Sequence, residues 1–163
     1  MKYASGTTVS EARTKAEIQY LLEKFGADQF GYATDRNSRM AELGFRYKGA
    51  NFRFQLPLAG PDDEAIKLTP TGRTRTHGRA LEILLQDENR RRWRSLCVVL
   101  KAMLVGVEDG ILSFGEIFMP YMVWGDGRTT AQTLLPGIEK LLQGGGVLPK
   151  LSTQHLLPGK EEV

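Results

Sequence analysis

The chain has 163 residues, 41% of them hydrophobic and 25% charged, with a formal net charge of +3. That length fits one domain with its own core, and that balance excludes a disordered or collagen-like chain. One cysteine excludes an internal disulfide and, with two distant histidines, a Cys/His zinc cage. The longest apolar run, Leu96–Leu100, is too short to span a bilayer, and Met1–Ser10 holds no apolar signal core, so the expectation is a soluble protein of a reducing, cytoplasmic compartment. The pI of about 9.1 permits an acidic partner, nucleic acid included, without requiring one.

Met1–Arg13 is small and polar and reads as frayed. Thr14-Lys15-Ala16-Glu17 then reads as a capping box, followed by Ile18, Leu21, Leu22 and Phe25 at helical spacing and by Gly26 as the stop. Next the period changes to two. Phe30, Tyr32 and Thr34 alternate into a turn at Asp35–Ser38. Ala41, Leu43, Phe45 and Tyr47 share one face, with Glu42, Arg46 and Lys48 on the other. After the Lys48-Gly49-Ala50 turn, Phe52, Phe54, Leu56 and Leu58 alternate with Asn51, Arg53 and Gln55. This is a three-stranded antiparallel meander with one apolar face, whose last strand ends or lies at an edge near Pro57.

Ala59–Gly78 is a polar connection of about twenty residues, long enough to suggest function or mobility. Arg79–Val107 carries the strongest helical pattern. Straight, it would span roughly 43 Å, so a break is expected near Glu88–Arg90. Trp93, Leu96, Leu100, Met103, Leu104 and Val107 form one stripe, with Val98 and Val105 opposite, as on a helix that must be covered on every side. Ser113-Phe114-Gly115-Glu116 is a second capping box, with a Leu112/Ile117 staple, and its helix is short because it meets Pro120. Val123–Thr129 reads as a tight turn between short strands. Thr129-Thr130-Ala131-Gln132 caps a last helix through Leu142, kinked near Pro136-Gly137 and stopped by Gly144–Gly146. The expected architecture is α+β: a three-stranded antiparallel meander packed on a long central helix with additional short helices, as one domain over residues 1–150 and a flexible tail over 151–163.

The most unusual motif is Arg90-Arg91-Arg92-Trp93-Arg94. Arg90, Arg91 and Arg94 share a face of the long helix, and Arg73, Arg75 and Arg79 precede it, a local charge of +5 between Arg73 and Lys101. Arginine forks suit phosphate oxygens. The competing reading is a solvated face with local pairs to Asp87 and Glu88. The meander's aromatic rings resemble a base-stacking platform, yet they share the phase of Leu43, Leu56 and Leu58, which argues for core, leaving Arg46, Lys48 and Arg53 on the opposite face to track a backbone. Thr69–Thr76, rich in hydroxyls and arginine, suits an anion but lacks the Walker lysine and glycine spacing. Glu108, Asp109 and Glu116 suggest Mg²⁺ only until capping and turn roles absorb two of them. Cys97 reads as buried and inert, Lys101 as a snorkelling stem, and no nucleophile–base arrangement is visible.

Thr69-Pro70-Thr71-Gly72-Arg73, then Arg92-Trp93-Arg94-Ser95-Leu96, Lys101-Ala102, Val107–Ile111, Phe114, Phe118 and Tyr121, together with the turn Asp126–Thr129, resemble a group of short bacteriophage and prophage proteins across most of the chain. The resemblance carries no activity and no functional residues; it implies a role in viral DNA metabolism or host takeover. The expected function is a non-enzymatic nucleic-acid-binding protein, for single-stranded DNA in phage replication or recombination. Its contact residues are Arg46, Lys48, Arg53, Arg73, Arg75, Arg90, Arg91 and Arg94, with no cofactor, metal or catalytic residue. The alternative is an interaction module that binds a host or viral protein, or itself as a homodimer, through the apolar central helix.

Overall fold

The computed structural model describes residues 3–4, 6–68, 72–74 and 78–144. Its elements in chain order are α1 (Glu11–Phe25), β1 (Gln29–Asp35), β2 (Met40–Tyr47), β3 (Ala50–Pro57), α2 (Glu64–Lys67), α3 (Arg79–Glu108), α4 (Phe114–Phe118), a 3₁₀ turn at Met119–Tyr121, and α5 (Thr130–Gln143). This is the expected α+β architecture. Among the described residues no helix is long and apolar enough to cross a membrane.

The meander has the strand order β1-β2-β3, antiparallel throughout, with Phe45 opposite both Phe30 and Phe52 and Leu43 opposite Phe54. Its register is set by tight turns. Lys48 and Gly49 both take positive φ (48° and 81°), the pattern that matches strand twist in a two-residue hairpin. Asp35 accepts from the Asn37 N–H (2.8 Å) and the Ser38 hydroxyl (2.7 Å), closing the other turn. The side-chain alternation sends Ala41, Leu43, Phe45, Phe52 and Phe54 inward, where α1 and α3 cover them with Ile18, Leu22, Trp93, Leu96, Cys97, Leu100 and Leu104. Phe118 of α4 closes the core, edge-on to Phe45 at 5.9 Å. The aromatic rings of the meander are therefore core, as their phase predicts.

The first helix begins earlier than expected. Ser10, not Thr14, is its N-cap, accepting from the Arg13 N–H at 3.2 Å, while Thr14 is fully buried and returns its hydroxyl to the Ser10 carbonyl. Both residues satisfy the capping rule. The choice falls to Ser10 because burying Thr14 adds a turn of helix against α3. Gly26 ends α1 in the left-handed region, φ 102°. Nor does α3 break near Glu88–Arg90: its 30 residues are continuous. No proline or glycine interrupts it before Gly106, and Glu88 bridges Arg91 and Arg92 at 2.7 and 3.3 Å one turn away. The connection after β3 is not structureless either, since α2 buries Ile66 beside Ala59 and Leu81 in a small second cluster. The turn at Val123–Thr129 pairs as expected through a Val123/Thr129 bridge. The expected tail at 151–163 lies outside the described residues, as does the far end of the expected 1–150 domain.

Candidate interaction surface

The arginines singled out by the sequence are tied into the fold. Arg90 pairs with Asp87 one turn earlier. Arg91 forks onto both oxygens of Glu88 (2.8 and 2.7 Å) and reaches the Tyr3 carbonyl at 3.3 Å. Arg94 pairs with Glu17 of α1, and that hydrogen bond lowers the Glu17 carboxyl pKa below its ordinary value. Arg92, left out of the expected contacts, makes the widest set: the Pro57 carbonyl at 2.9 Å, Asp63 at 2.6 Å and Glu88 at 3.3 Å. It staples the exit of β3 and the start of α2 to the central helix. The local charge of +5 therefore overstated the field, because Glu17 and Asp63 arrive from distant parts of the chain.

On the sheet's outer face, Arg46 forks onto Asp28 at 2.8–3.0 Å, lowering that carboxyl's pKa. Arg53 donates to the Gly127 carbonyl (2.8 Å) and to Gln132 (3.0 Å). Lys48 is exposed at the hairpin tip, its ammonium over the Tyr47 ring at 5.2 Å. Arg73 is exposed in the connection before α3. Arg75 lies outside the described residues, as do Thr69–Thr71 and Thr76 of the hydroxyl-rich motif. Arg46 and Arg53 thus share the sheet face, whereas Arg90, Arg91 and Arg94 bind to the helices' own acids. An open hollow of about 480 Å³ lies over the sheet, floored by Gly31 and Gly44, which face each other across β1 and β2.

The chemistry-bearing groups elsewhere are absorbed by structure. Glu116 accepts from the Ser113 N–H at 2.9 Å in the capping box, and Asp109 is the C-cap of α3. Cys97 is fully buried against the Glu17–Arg94 pair, and burial raises its thiol pKa to about 11. Lys101 is exposed. Among the described residues, no group of three His, Cys, Asp or Glu side chains is placed to hold a metal ion.

The surface that stands out is α5. Its first turn is bolted down. Thr129 and Gln132 form a capping box. Thr130 is buried, donates its N–H to the Met122 carbonyl (3.0 Å) and accepts from the Trp124 indole N–H (2.9 Å). Gln132 reaches Gln55, which donates to Glu42, so the sheet's outer face holds the helix start through a polar chain. From Gln132 to Gly144 every residue is exposed. At 100° per residue, Leu134, Leu135, Ile138, Leu141 and Leu142 fall within an arc of about 120°, opposite Gln132, Pro136 and Gln143. Those five side chains are 38–67% exposed, and Trp124 beside the first turn is 54% exposed. The outward side of α3 shows less: Val99 and Val105 are exposed but Val98 is half-buried, with Lys101 and Ala102 between them. The expected exposed apolar surface was the outer side of α3, at Val98 and Val105, and not α5. The spacing of the five residues was the missed signal. No protein-family model, no curated protein and no solved structure matches this chain.

Proposed function

We propose that this chain is a non-enzymatic interaction protein whose α+β domain presents the apolar face of α5 to another polypeptide chain. The observation that carries the reading is that five large apolar side chains share one face of a helix that, among the described residues, its own domain anchors at the first turn. Such a face, rimmed by polar residues, is the surface expected of a helix-in-groove or helix-pair contact. The expected phage setting is consistent with it. The test is a photo-crosslinking residue at position 138 of the full chain, illuminated in expressing cells. The reading expects a covalent adduct with a polypeptide, whether the chain's own copy or another protein. No adduct at 138, against adducts from an exposed control position such as Tyr20, would end it.

A second reading keeps the sheet as a contact for single-stranded nucleic acid. It is favoured by the hollow over Gly31 and Gly44, whose bare floor admits a flat base and whose rim offers Gln29, Asn51, Arg46 and Arg53. It ranks second because Arg46 and Arg53 would have to exchange their present partners for phosphate.

A further inference from the structure

We infer that the polypeptide seated on α5 is a second copy of this chain, joined in an antiparallel two-fold pair of α5 helices whose axis passes through Ile138. The inference rests on the interaction reading above and names its partner. Its basis is that the apolar stripe is symmetric about Ile138. Leu135 and Leu141 lie three residues to either side of it, and Leu134 and Leu142 lie four. A two-fold contact requires each surface patch to complement itself. An antiparallel pair centred on Ile138 does this residue by residue: Leu134 shares a layer with Leu142 of the second copy, Leu135 with Leu141, and Ile138 with itself. Within a layer the two side chains lean to opposite flanks, so they interdigitate. Gly137, about 100° round the helix from Ile138, puts no side chain on one flank of the contact and meets nothing within 4 Å.

The anchoring of the helix favours the same arrangement. Each α5 is held to its domain at Thr130, eight residues before the axis. In an antiparallel pair the two Thr130 positions lie about 24 Å apart along the helices, so the domains sit at opposite ends. A parallel pair would bring both domains to the same end. Charge points away from other occupants. Between Thr130 and Gln143 the helix carries only Glu139 and Lys140 as charges, so it offers nothing for a strongly acidic or basic partner to complement and lacks the cationic face of a membrane-surface helix. Both copies of Glu139 fall on one solvent-facing flank of the pair, where screening keeps their repulsion small. The exposed Trp124 and Met119 beside the first turn extend the contact toward the other copy's helix end.

The experiment is sedimentation equilibrium of the full chain at micromolar concentration, followed by cysteine crosslinking under mild oxidation. Cys97 is fully buried, so added thiols report alone. The inference expects a species of about 36 kDa, twice the 18.2 kDa chain, that returns to monomer in Ile138→Glu. It expects Ile138→Cys to crosslink to itself, Leu134→Cys not to, since its copies lie about 12 Å apart along the axis, and a mixture of Leu134→Cys with Leu142→Cys to crosslink. A Leu134→Cys self-crosslink with a silent mixture means a parallel pair and overturns the antiparallel assignment. An 18.2 kDa species without any of these crosslinks overturns the second copy altogether. A photo-adduct at 138 with a different protein would then leave the interaction reading standing alone.

Discussion

Replacing Arg92 with Ala separates a structural arginine from one held ready for a ligand. Its side chain is 21% exposed and donates to the Pro57 carbonyl, Asp63 and Glu88. A sheltered hydrogen bond to a charged group contributes about 1.5–3 kcal/mol, an exposed ion pair about 0–1. Asp63 is a third exposed, which brings its share down to about 1 kcal/mol. Glu88 keeps Arg91 and loses little. The Pro57 carbonyl and the lost packing of the arginine stem add about 1 kcal/mol more. The expected cost is therefore about 2 kcal/mol. With a urea slope of about 2 kcal/mol/M for a domain of this class, the unfolding midpoint falls by about 1 M with the slope unchanged. Arg90→Ala is the internal control: its pair with Asp87 is half exposed and its Nε is buried without a partner, so its midpoint should move by less than about 0.3 M. Equal midpoints for the two variants, or an Arg92→Ala chain as stable as the wild type, would refute the assignment of Arg92 as the staple between α3 and the β3 exit.

The Glu17–Arg94 pair sets an acid limit. The folded carboxyl titrates below its ordinary value of 4.5, so its contribution is present above that pH and lost as the pH falls through the folded pKa. Glu17→Gln should cost about 1 kcal/mol at neutral pH and nothing in strong acid, read from urea midpoints across pH; a cost that persists in acid would exclude the ion pair as its cause. Cys97 should react with a disulfide reagent only as fast as the chain opens, because a thiol at about 11 is ionised to about one part in a thousand at pH 8 and is fully buried besides. Labelling within the mixing time would contradict this. The triple variant Arg90→Ala, Arg91→Ala, Arg94→Ala should leave binding to single-stranded oligonucleotides unchanged. A log–log salt slope that falls by about 2 on substitution would instead return those arginines to a phosphate site.

The meander was legible because alternation forces a choice of face: Leu43, Phe45, Phe52 and Phe54 share a phase and all are buried. Turn chemistry was equally readable at Lys48-Gly49 and at Ser113–Glu116, where local geometry decides the outcome. The start of α1 was not. Ser10 and Thr14 compete as caps, and the deciding factor is the burial of Thr14, which belongs to tertiary packing. The arginine cluster misled for a related reason. A local charge sum sees Asp87 and Glu88, but the partners of Arg94 and Arg92 lie 77 and 29 residues away. The apolar stripe of α5 was readable as a pattern, but what covers a stripe depends on where neighbouring elements fall.

The energetics of α5 explain why its cover matters. Pro136 stands in the helix interior, where it removes the N–H that would bond the Gln132 carbonyl and crowds that carbonyl. Relative to alanine, Pro136 costs about 3 kcal/mol and Gly137 about 1. The capping box returns about 1 kcal/mol. At fourteen residues the helix is also near the length at which isolated helices are marginal even with favourable sequences. The five apolar side chains together leave about two and a half residues' worth of surface in water, and covering them is worth about 4–7 kcal/mol. The two sides of this balance are of similar size, so covering the stripe would offset what Pro136 and Gly137 cost the helix. Its own domain covers Thr130 and little beyond. In the proposed pair, helix formation and association would be linked through the same five side chains, and Ile138→Glu is expected to weaken both.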